Sequence, residues 1–202
     1  MKVKQKGLLL VLSGPSGVGK GTVCRALLEN EPSLRLSVSA TTRSPRPGEI
    51  DGVDYFFLDD NVFRKMIASG ELLEYAVVYN HLYGTPLPFV QESLENGQDI
   101  ILEIDIQGAL QVKEKYPQAI LIFISPPSKG DLRKRLLSRG ADAREVIEKR
   151  LCCASGEMKL ADHYDYIVIN DQVKKAVEQV RSVITAEKCR PHNLKPFLGS
   201  FD

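Results

Sequence analysis

The sequence predicts an α/β fold with three layers, in which helices cover both faces of a mostly parallel central sheet. Short apolar runs, typical of buried strands, alternate along the chain with segments of helical hydrophobic spacing. A glycine-rich turn at 13–20 joins the first apolar run directly to the first helical segment. Residues 39–84 interrupt this alternation with loops and short strands. We interpret this segment as an insertion beyond the carboxyl-terminal edge of the sheet, where ligands bind in such folds.

The first predicted strand, at 8–12, leads without a break into the turn Ser-Gly-Pro-Ser-Gly-Val-Gly-Lys, and a helix is expected to begin near Lys20. A strand, a G-x-x-x-x-G-K turn and a helix together make a phosphate-binding loop (P-loop). Its glycines allow successive backbone N–H groups to converge on one anion, and the helix N-terminus adds the positive end of its dipole. Lys20 adds a mobile charge. The unit therefore predicts phosphate binding.

Strands and helices are expected to alternate over the rest of the chain. Further strands are predicted at 34–38, 55–58, 100–104, 119–124 and 166–169. A further helix is predicted at 59–68, where Asp59, Asp60 and Asn61 form the cap. Helices are also predicted at 87–95, from the end of the strand at 100–104 to about 116, and at 129–138, 144–161 and 173–188. Residues 39–54 are expected to be a loop, 71–83 strands or a small meander, and 140–143 a polar break.

This order of elements predicts how the chain is divided. We expect a P-loop core, an inserted segment, a mobile lid and a loosely attached tail. The core comprises 1–38 and 86–188, the insertion 39–85, the lid about 135–150 and the tail 189–202.

Composition limits the classes of partner. The chain has 202 residues, of which 43% are hydrophobic and 26% charged, as in an ordinary soluble globular protein. A net charge of +1 gives no overall field for nucleic acid or a membrane, so anions must bind at local clusters. The four cysteines form no C-x-x-C pair and are expected to be buried or inert thiols in a reducing compartment, which predicts a cytoplasmic protein. The sequence leaves open whether the chain forms a homo-oligomer.

Two arginines mark the first polar cluster. Arg43 and Arg46 lie three apart in a loop stiffened by prolines, where they can present two guanidinium forks to one phosphate. The alternative is a solvated surface loop.

Two carboxylates mark the next clusters. Glu74, if it faces a pocket, can accept hydrogen bonds from both the N1–H and the 2-amino group of guanine, an arrangement that adenine cannot supply. The alternative for Glu74 is a surface position. Asp105 follows an apolar strand, which resembles the second, acidic motif of P-loop enzymes, where the acid lies beside Mg²⁺, usually through water. Asp105 is also placed to cap the helix that follows, and the two roles are compatible.

The last cluster is basic. Arg135 and Arg139 are four apart on one face of a predicted helix and border the polar break expected of a mobile lid. With Arg150, they can neutralise the charge that spreads over a transferring phosphoryl group. A solvated helix of mixed charge is the alternative.

Taken together, these clusters resemble the guanylate kinase family, whose members phosphorylate GMP with ATP. The resemblance runs from about residue 7 to 188, with the motifs in the family's order. It implies that the ATP phosphates are held by Gly14, Pro15, Ser16, Gly17, Val18, Gly19, Lys20, Gly21 and Thr22, and that Asn170 contacts the adenine. It implies that the GMP phosphate is held by Arg43, Arg46, Tyr55 and Tyr83, and the guanine by Ser39, Glu74, Thr85 and Asp105. The residues expected to act in catalysis are Lys20, Arg43, Arg135, Arg139 and Arg150.

Two residues depart from the general pattern. Gly21 stands where P-loops usually carry Ser or Thr, so the usual hydroxyl ligand to Mg²⁺ is absent, although Thr22 follows. We therefore expect Mg²⁺ near Thr22 and Asp105 without assigning a direct ligand. Glu103 lies where some relatives carry Asp, and we give it no role.

The resemblance implies in-line transfer of the ATP γ-phosphoryl group to GMP in purine nucleotide metabolism. Two alternatives stay open at this point: an inactive guanylate kinase-like interaction module, and a monophosphate kinase for another nucleotide.

Overall fold

The computed structural model describes residues 6–78, 80–138 and 144–194. The strands of this part of the chain are β1 Leu9–Ser13, β2 Leu34–Leu36, β3 Ala40–Thr41, β4 Phe56–Phe57, β5 Leu72–Val78, β6 His81–Pro86, β7 Asp99–Glu103, β8 Ile120–Ser125 and β9 Tyr166–Ile169. The helices are α1 Lys20–Asn30, α2 Asp60–Ala68, α3 Leu87–Glu95, α4 Ile106–Lys115, α5 Lys129–Ser138, α6 Arg144–Glu157 and α7 Val173–Lys188, with a 3₁₀ helix at Met158–His163.

The main sheet has five parallel strands in the order β2-β7-β1-β8-β9. Alternate side chains of the central strand point to opposite faces, as the pleat of a strand requires. Leu10 and Leu12 pack with residues of α1 and α7, whereas Leu9 and Val11 pack with residues of α3 and α4. The predicted three-layer α/β fold is therefore confirmed.

A smaller second sheet has the strand order β4-β3-β6-β5, with antiparallel pairing of β3 to β6 and of β5 to β6. The prediction that 39–54 is entirely loop was wrong, since Ala40 and Thr41 form β3. Two residues are too few for a hydrophobic period to show. β3 exists because its partners on β6 are in place, and Thr41 Oγ1 donates to the Leu82 carbonyl at 3.0 Å.

Most other element predictions are confirmed, with small corrections. Residues 71–83 do contain strands, a hairpin of β5 and β6. Asp59 precedes α2, but its side chain makes no capping hydrogen bond. The helix predicted at 144–161 ends at Glu157 and continues as the 3₁₀ helix. The predicted break at 140–143 lies outside the described residues, as does the end of the tail beyond 194.

The expectation of buried or inert thiols is met by burial at one cysteine. All four are free thiols, but only Cys24 is buried, while Cys152, Cys153 and Cys189 are exposed. Burial raises the pKa of the Cys24 thiol to about 12, which keeps it protonated and unreactive. In the part of the chain that the structure describes, no helix has both the length and the apolar character needed to cross a membrane.

Asp99 ties the first strand of the core to its neighbour. Its Oδ1 accepts a hydrogen bond from the buried Leu8 amide at 2.9 Å, and its Oδ2 lies 2.6 Å from Lys188 Nζ. We expect Asp99→Ala to lower the free energy of unfolding by roughly 1–3 kcal/mol, because the Leu8 N–H is left buried without an acceptor. Urea denaturation measures the loss. Asp60→Ala, which removes an exposed aspartate from an ion pair with Arg64, is the matched control and should cost less. Equal losses would contradict this account.

Candidate active site

The P-loop bends sharply between β1 and α1. Gly14 has a φ of +144°, and a Cβ atom built on it would lie 2.3 Å from the Ile124 carbonyl oxygen, so the loop leaves the sheet in contact with β8. Lys20, the first residue of α1, folds back over the loop, and its Nζ donates to the carbonyls of Gly14 at 2.7 Å and Pro15 at 3.3 Å. The ammonium group is thus held at the mouth of the loop, where a phosphate would bind.

Two predicted site residues brace the P-loop from outside. Arg135 donates from Nη1 to the Val18 carbonyl at 2.8 Å and from Nη2 to the Asn170 carbonyl at 2.6 Å. Asn170 is buried, and its Nδ2 donates to the same Val18 carbonyl at 2.9 Å. The alternative of a solvated helix face is therefore excluded for Arg135. Its side chain instead links α5 to the loop. Arg139 lies outside the described residues, so its role stays a prediction.

A single cleft of about 310 Å³ lies beside the P-loop. It brings together ten predicted site residues: Ser16, Lys20, Ser39, Arg43, Arg46, Tyr55, Glu74, Tyr83, Asp105 and Arg150. Thr85 is buried next to Glu74, and Thr22 is exposed in the first turn of α1. A wider groove of about 450 Å³ between α5 and α6 contains none of the predicted site residues. The cleft beside the P-loop is therefore the candidate active site.

The guanidinium of Arg43 is held by a residue to which sequence reasoning gave no role. Its Nη1 and Nη2 donate to the two carboxylate oxygens of Glu49, each at 2.9 Å. Glu49 also accepts from the Arg46 backbone amide at 2.7 Å, so one carboxylate holds the Arg43 guanidinium and the Arg46 backbone. Arg43 lowers the pKa of Glu49, and Glu49 in turn raises the pKa of Arg43. The signal available in the sequence was an acid three residues after Arg46.

Aromatic rings surround the same guanidinium. The Arg43 Cζ atom lies 5.5 Å from the centroid of the Tyr55 ring and 5.7 Å from that of Phe57, within the range of cation–π attraction. Its Nε donates to the Tyr83 hydroxyl at 3.2 Å, and the Tyr55 and Tyr83 rings meet edge to face with centroids 5.9 Å apart. Arg43 is therefore fixed in orientation before any ligand binds.

Helix α4 places Glu74 in the cleft. Lys115 Nζ donates to the Leu73 carbonyl at 2.6 Å, and Gln111 Nε2 donates to the Tyr75 carbonyl at 2.7 Å, so both neighbours of Glu74 are anchored on this helix. The Glu74 side chain is 3% exposed, which excludes the surface alternative, and its Oε1 accepts from Thr85 Oγ1 at 2.7 Å. Burial raises the pKa of Glu74 to about 7, and the nearby charge of Asp105 adds to this effect.

Two more carboxylates lie where β7 ends. Asp105 caps α4, as predicted, since its side chain accepts from the Gly108 amide at 2.9 Å. Glu103 lines the same cleft, although sequence reasoning gave it no role. Burial raises the pKa of both groups, and the positive charge of Lys20 opposes this rise in each. The sequence signal for Glu103 was its position at the carboxyl end of a strand, two residues before Asp105.

These features define the class: a P-loop nucleotide-binding protein in which the loop borders a cleft lined by arginines and carboxylates. The guanylate kinase family model matches residues 6–187, and the chain belongs to the guanylate kinase family. The predicted resemblance is thereby confirmed.

Individual relatives are similar over nearly their whole length. The guanylate kinase of Caldanaerobacter subterraneus subsp. tengcongensis is 55% identical over 190 residues, which cover 94% of this chain and 92% of that protein. The guanylate kinase of Halalkalibacterium halodurans is 50% identical over 191 residues, covering 95% and 94%. The crystal structure of guanylate kinase from Anaplasma phagocytophilum superposes with a TM-score of 0.78 at 34% identity, covering 93% of this chain and 89% of that one.

Gly108 leaves room for the Glu74 carboxylate. A Cβ atom built on Gly108 would lie 2.3 Å from Glu74 Oε2. Although Gly→Ala in a helix normally stabilises, we expect Gly108→Ala to lower the free energy of unfolding by roughly 1–3 kcal/mol, because the buried carboxylate must move. Thermal and urea denaturation measure the change. Gly156→Ala in α6, where a Cβ atom would meet nothing within 4 Å, is the control and should be neutral or stabilising. A stabilised Gly108→Ala variant would refute the packing described here.

Proposed function

We propose that this chain is a guanylate kinase that transfers the γ-phosphoryl group of ATP to GMP, giving GDP and ADP. The observation that carries the proposal is the single cleft beside the P-loop. Lys20, the Arg43–Arg46 pair and Glu74 all line this cleft. The guanylate kinase relatives at 50–55% identity support it. No observation favours an inactive interaction module or another acceptor nucleotide.

Guanine recognition rests on Glu74. Its carboxylate accepts hydrogen bonds from the N1–H and the 2-amino group of the base, while Thr85 Oγ1 holds its other side at 2.7 Å. Adenine presents a lone pair at N1, which would face the carboxylate without a shared proton. Ser39 and Asp105 complete the contacts to the base. An acceptor that leaves a buried polar group unpaired is strongly rejected.

The GMP phosphate is bound by Arg43, Arg46, Tyr55 and Tyr83. In the free protein the Arg43 fork is already paired with Glu49. The phosphate therefore exchanges with, or shares, a carboxylate that presents two oxygens in a similar geometry. This arrangement keeps the arginine oriented and its charge compensated until the substrate arrives.

The ATP phosphates lie on the P-loop, residues 14–22, with Lys20 at the β- and γ-phosphates and Asn170 at the adenine. Transfer is in line: an oxygen of the GMP phosphate forms the new bond to the γ-phosphorus, and the bond to the β–γ bridging oxygen breaks, leaving ADP. No covalent enzyme intermediate is needed, because positioning and charge neutralisation lower the barrier.

The lid arginines act on the same charge. Arg150 already lines the cleft, and Arg135 holds the P-loop through Val18. We propose that the segment 39–85 and the lid at about 135–150, including Arg139, close over both nucleotides and exclude water from the reacting groups.

Magnesium fits the donor set of this cleft. Glu103 and Asp105 supply carboxylate oxygens near Lys20, and Mg²⁺ is commonly held by one or two carboxylates together with substrate phosphates and water. Within 6–78, 80–138 and 144–194, no three or more His, Cys, Asp or Glu side chains form a metal cluster. When bound, Mg²⁺ neutralises charge on the phosphates. The usual P-loop has a hydroxyl side chain at position 21. Here the nearest hydroxyl in the sequence is that of Thr22, in the same helical turn.

We further propose a cytoplasmic location and a place in purine nucleotide metabolism. The four free cysteines support a reducing compartment. GMP and ATP are then the partners of the chain, and neither a nucleic acid nor a membrane is required.

The proposal is tested by the choice of acceptor. Purified protein with Mg-ATP is offered GMP, AMP, CMP, UMP and dTMP, and release of ADP is followed in a coupled assay. We expect kcat/KM for GMP to exceed the others by roughly 10³-fold or more, because only guanine satisfies Glu74. Lys20→Met serves as the inactive control. Folded protein that leaves GMP unphosphorylated would refute the proposed function.

Replacing the carboxylate should separate the two nucleotides. Glu74→Gln is expected to weaken GMP binding by roughly 2–4 kcal/mol while sparing ATP, since the amide N–H₂ cannot accept from guanine. Isothermal titration calorimetry measures both affinities. Equal loss of GMP and ATP affinity would contradict the assignment of the pocket.

The same pair of proteins gives a pH dependence. Because the pKa of Glu74 is about 7 in the free protein, and guanine binds the ionised form, the contribution of Glu74 to GMP affinity is nearly complete at about pH 8 and is lost as the pH falls through about 7. About a tenfold weaker affinity is expected at pH 6 than at pH 8. The Glu74→Gln variant retains the titration of the GMP phosphate and should show only that smaller dependence.

A further inference from the structure

Gly21, which departs from the usual P-loop pattern, lies beside Glu103. A Cβ atom built on Gly21 would lie 3.3 Å from Glu103 Oε1 and 3.4 Å from Oε2. The first distance is tighter than ordinary van der Waals contact, and the second lies at its lower limit. The Glu103 carboxylate therefore occupies the space beside the first turn of α1 that a side chain at position 21 would otherwise enter.

The backbone does not explain the glycine. Gly21 lies in α1 and, unlike Gly14, Gly17 and Gly19, does not have a positive φ. A glycine inside a helix costs roughly 0.5–1 kcal/mol relative to alanine. The close approach of Glu103 is the feature that accounts for its presence here.

The sheet fixes the position of Glu103 relative to the loop. Glu103 is the last residue of β7 and pairs in register with Leu12 of β1, one residue before that strand ends. Its carboxylate is thus carried to the start of α1, close enough to Lys20 for the two charges to interact. A shorter aspartate at this position would withdraw the carboxylate by about 1.5 Å, the length of one C–C bond.

We propose that Gly21 and Glu103 form one size-coupled unit, in which the Glu103 carboxylate would supply to the Mg²⁺ of the bound nucleotide the oxygen ligand that a hydroxyl at position 21 supplies in the usual P-loop. Glycine at 21 makes room for the longer acid, and the longer acid takes the place of the missing hydroxyl. This inference rests on the proposed function for the identity of the triphosphate as ATP. A plain structural role, in which Glu103 only compensates the charge of Lys20, requires no such coupling.

The coupling is tested by a double-mutant cycle with G21S, E103D and G21S/E103D. G21S puts a hydroxyl into the space that Glu103 fills, and E103D withdraws the carboxylate while the hydroxyl is still missing. We expect each single variant to lose about tenfold in affinity for ADP in the presence of Mg²⁺, and the double variant to return to within about threefold of the parent. Calorimetry with and without Mg²⁺ measures these affinities, and the loss should be confined to the Mg²⁺ arm.

A charge-free control distinguishes size from charge. E103Q keeps the length of Glu103, so G21S/E103Q should remain crowded and show no recovery, in contrast to G21S/E103D. The Tm of each free protein gives a second readout: G21S should lower it, and E103D should restore it in the double variant. If G21S does not fold, G21A adds only the Cβ atom and repeats the Tm cycle.

Additive losses in G21S/E103D, or a G21S variant with unchanged Tm and unchanged Mg²⁺-dependent affinity, would overturn the inference. Neither ADP binding nor Tm involves an acceptor nucleotide. A failure to phosphorylate GMP therefore refutes the proposed function alone and leaves this result to be judged separately.

Discussion

The burial of three carboxylates in the cleft that also contains Lys20 is the constraint on which the site depends. Glu74, Glu103 and Asp105 line one cleft, and burial raises the pKa of each. Because the pKa of folded Glu74 lies above its ordinary value, its contribution lowers the free energy of unfolding as pH rises from about 4.5 to about 7. The fold tolerates this cost because α4 anchors the backbone on both sides of Glu74 and leaves Gly108 without a side chain beneath it. A bound guanine would supply the donors that the carboxylate lacks in the free protein.

The cations of the cleft are arranged in the complementary way. Arg43 is paired with Glu49, flanked by Tyr55 and hydrogen-bonded to Tyr83, so its charge is compensated and its fork is oriented. Lys20 rests on the carbonyls of its own loop. Arg43 and Lys20 are thus held by groups of the protein itself before a nucleotide binds. Since exchanging one anion for another leaves the arginine in place, little side-chain ordering remains to be done at binding.

The sequence was sufficient for those features that depend on local patterns or on strand topology. The P-loop, the Asp105 cap and the alternation of strands and helices all follow from spacing within a few residues, and each is confirmed. Features that depend on partners far along the chain were either missed, as β3 was, or left with a surface alternative, as Glu74 and Arg135 were. β3 has only two residues and exists through its pairing with β6. The burial of Glu74 depends on Lys115 and Gln111, which lie 42 and 36 residues along the chain from the carbonyls they bind. Neither residue belongs to a recognisable sequence pattern. The bracing of Val18 by Arg135 joins residues 117 apart in sequence.

Glu49 and Glu103 show why a residue type alone was not enough. Glu49 lies in a polar loop and Glu103 at the end of a strand, and acids in such places are usually solvated. Only their neighbours in the folded structure give these two residues a function. For Glu49 the neighbours are the two arginines of its own loop. For Glu103 the neighbour is Gly21, which has no side chain and so leaves the space that the carboxylate fills. A residue that departs from a motif, such as Gly21, can therefore be matched by a second residue elsewhere in the chain, here Glu103. The second residue is found through the strand register, because β7 lies next to β1 and its end necessarily meets the start of the P-loop.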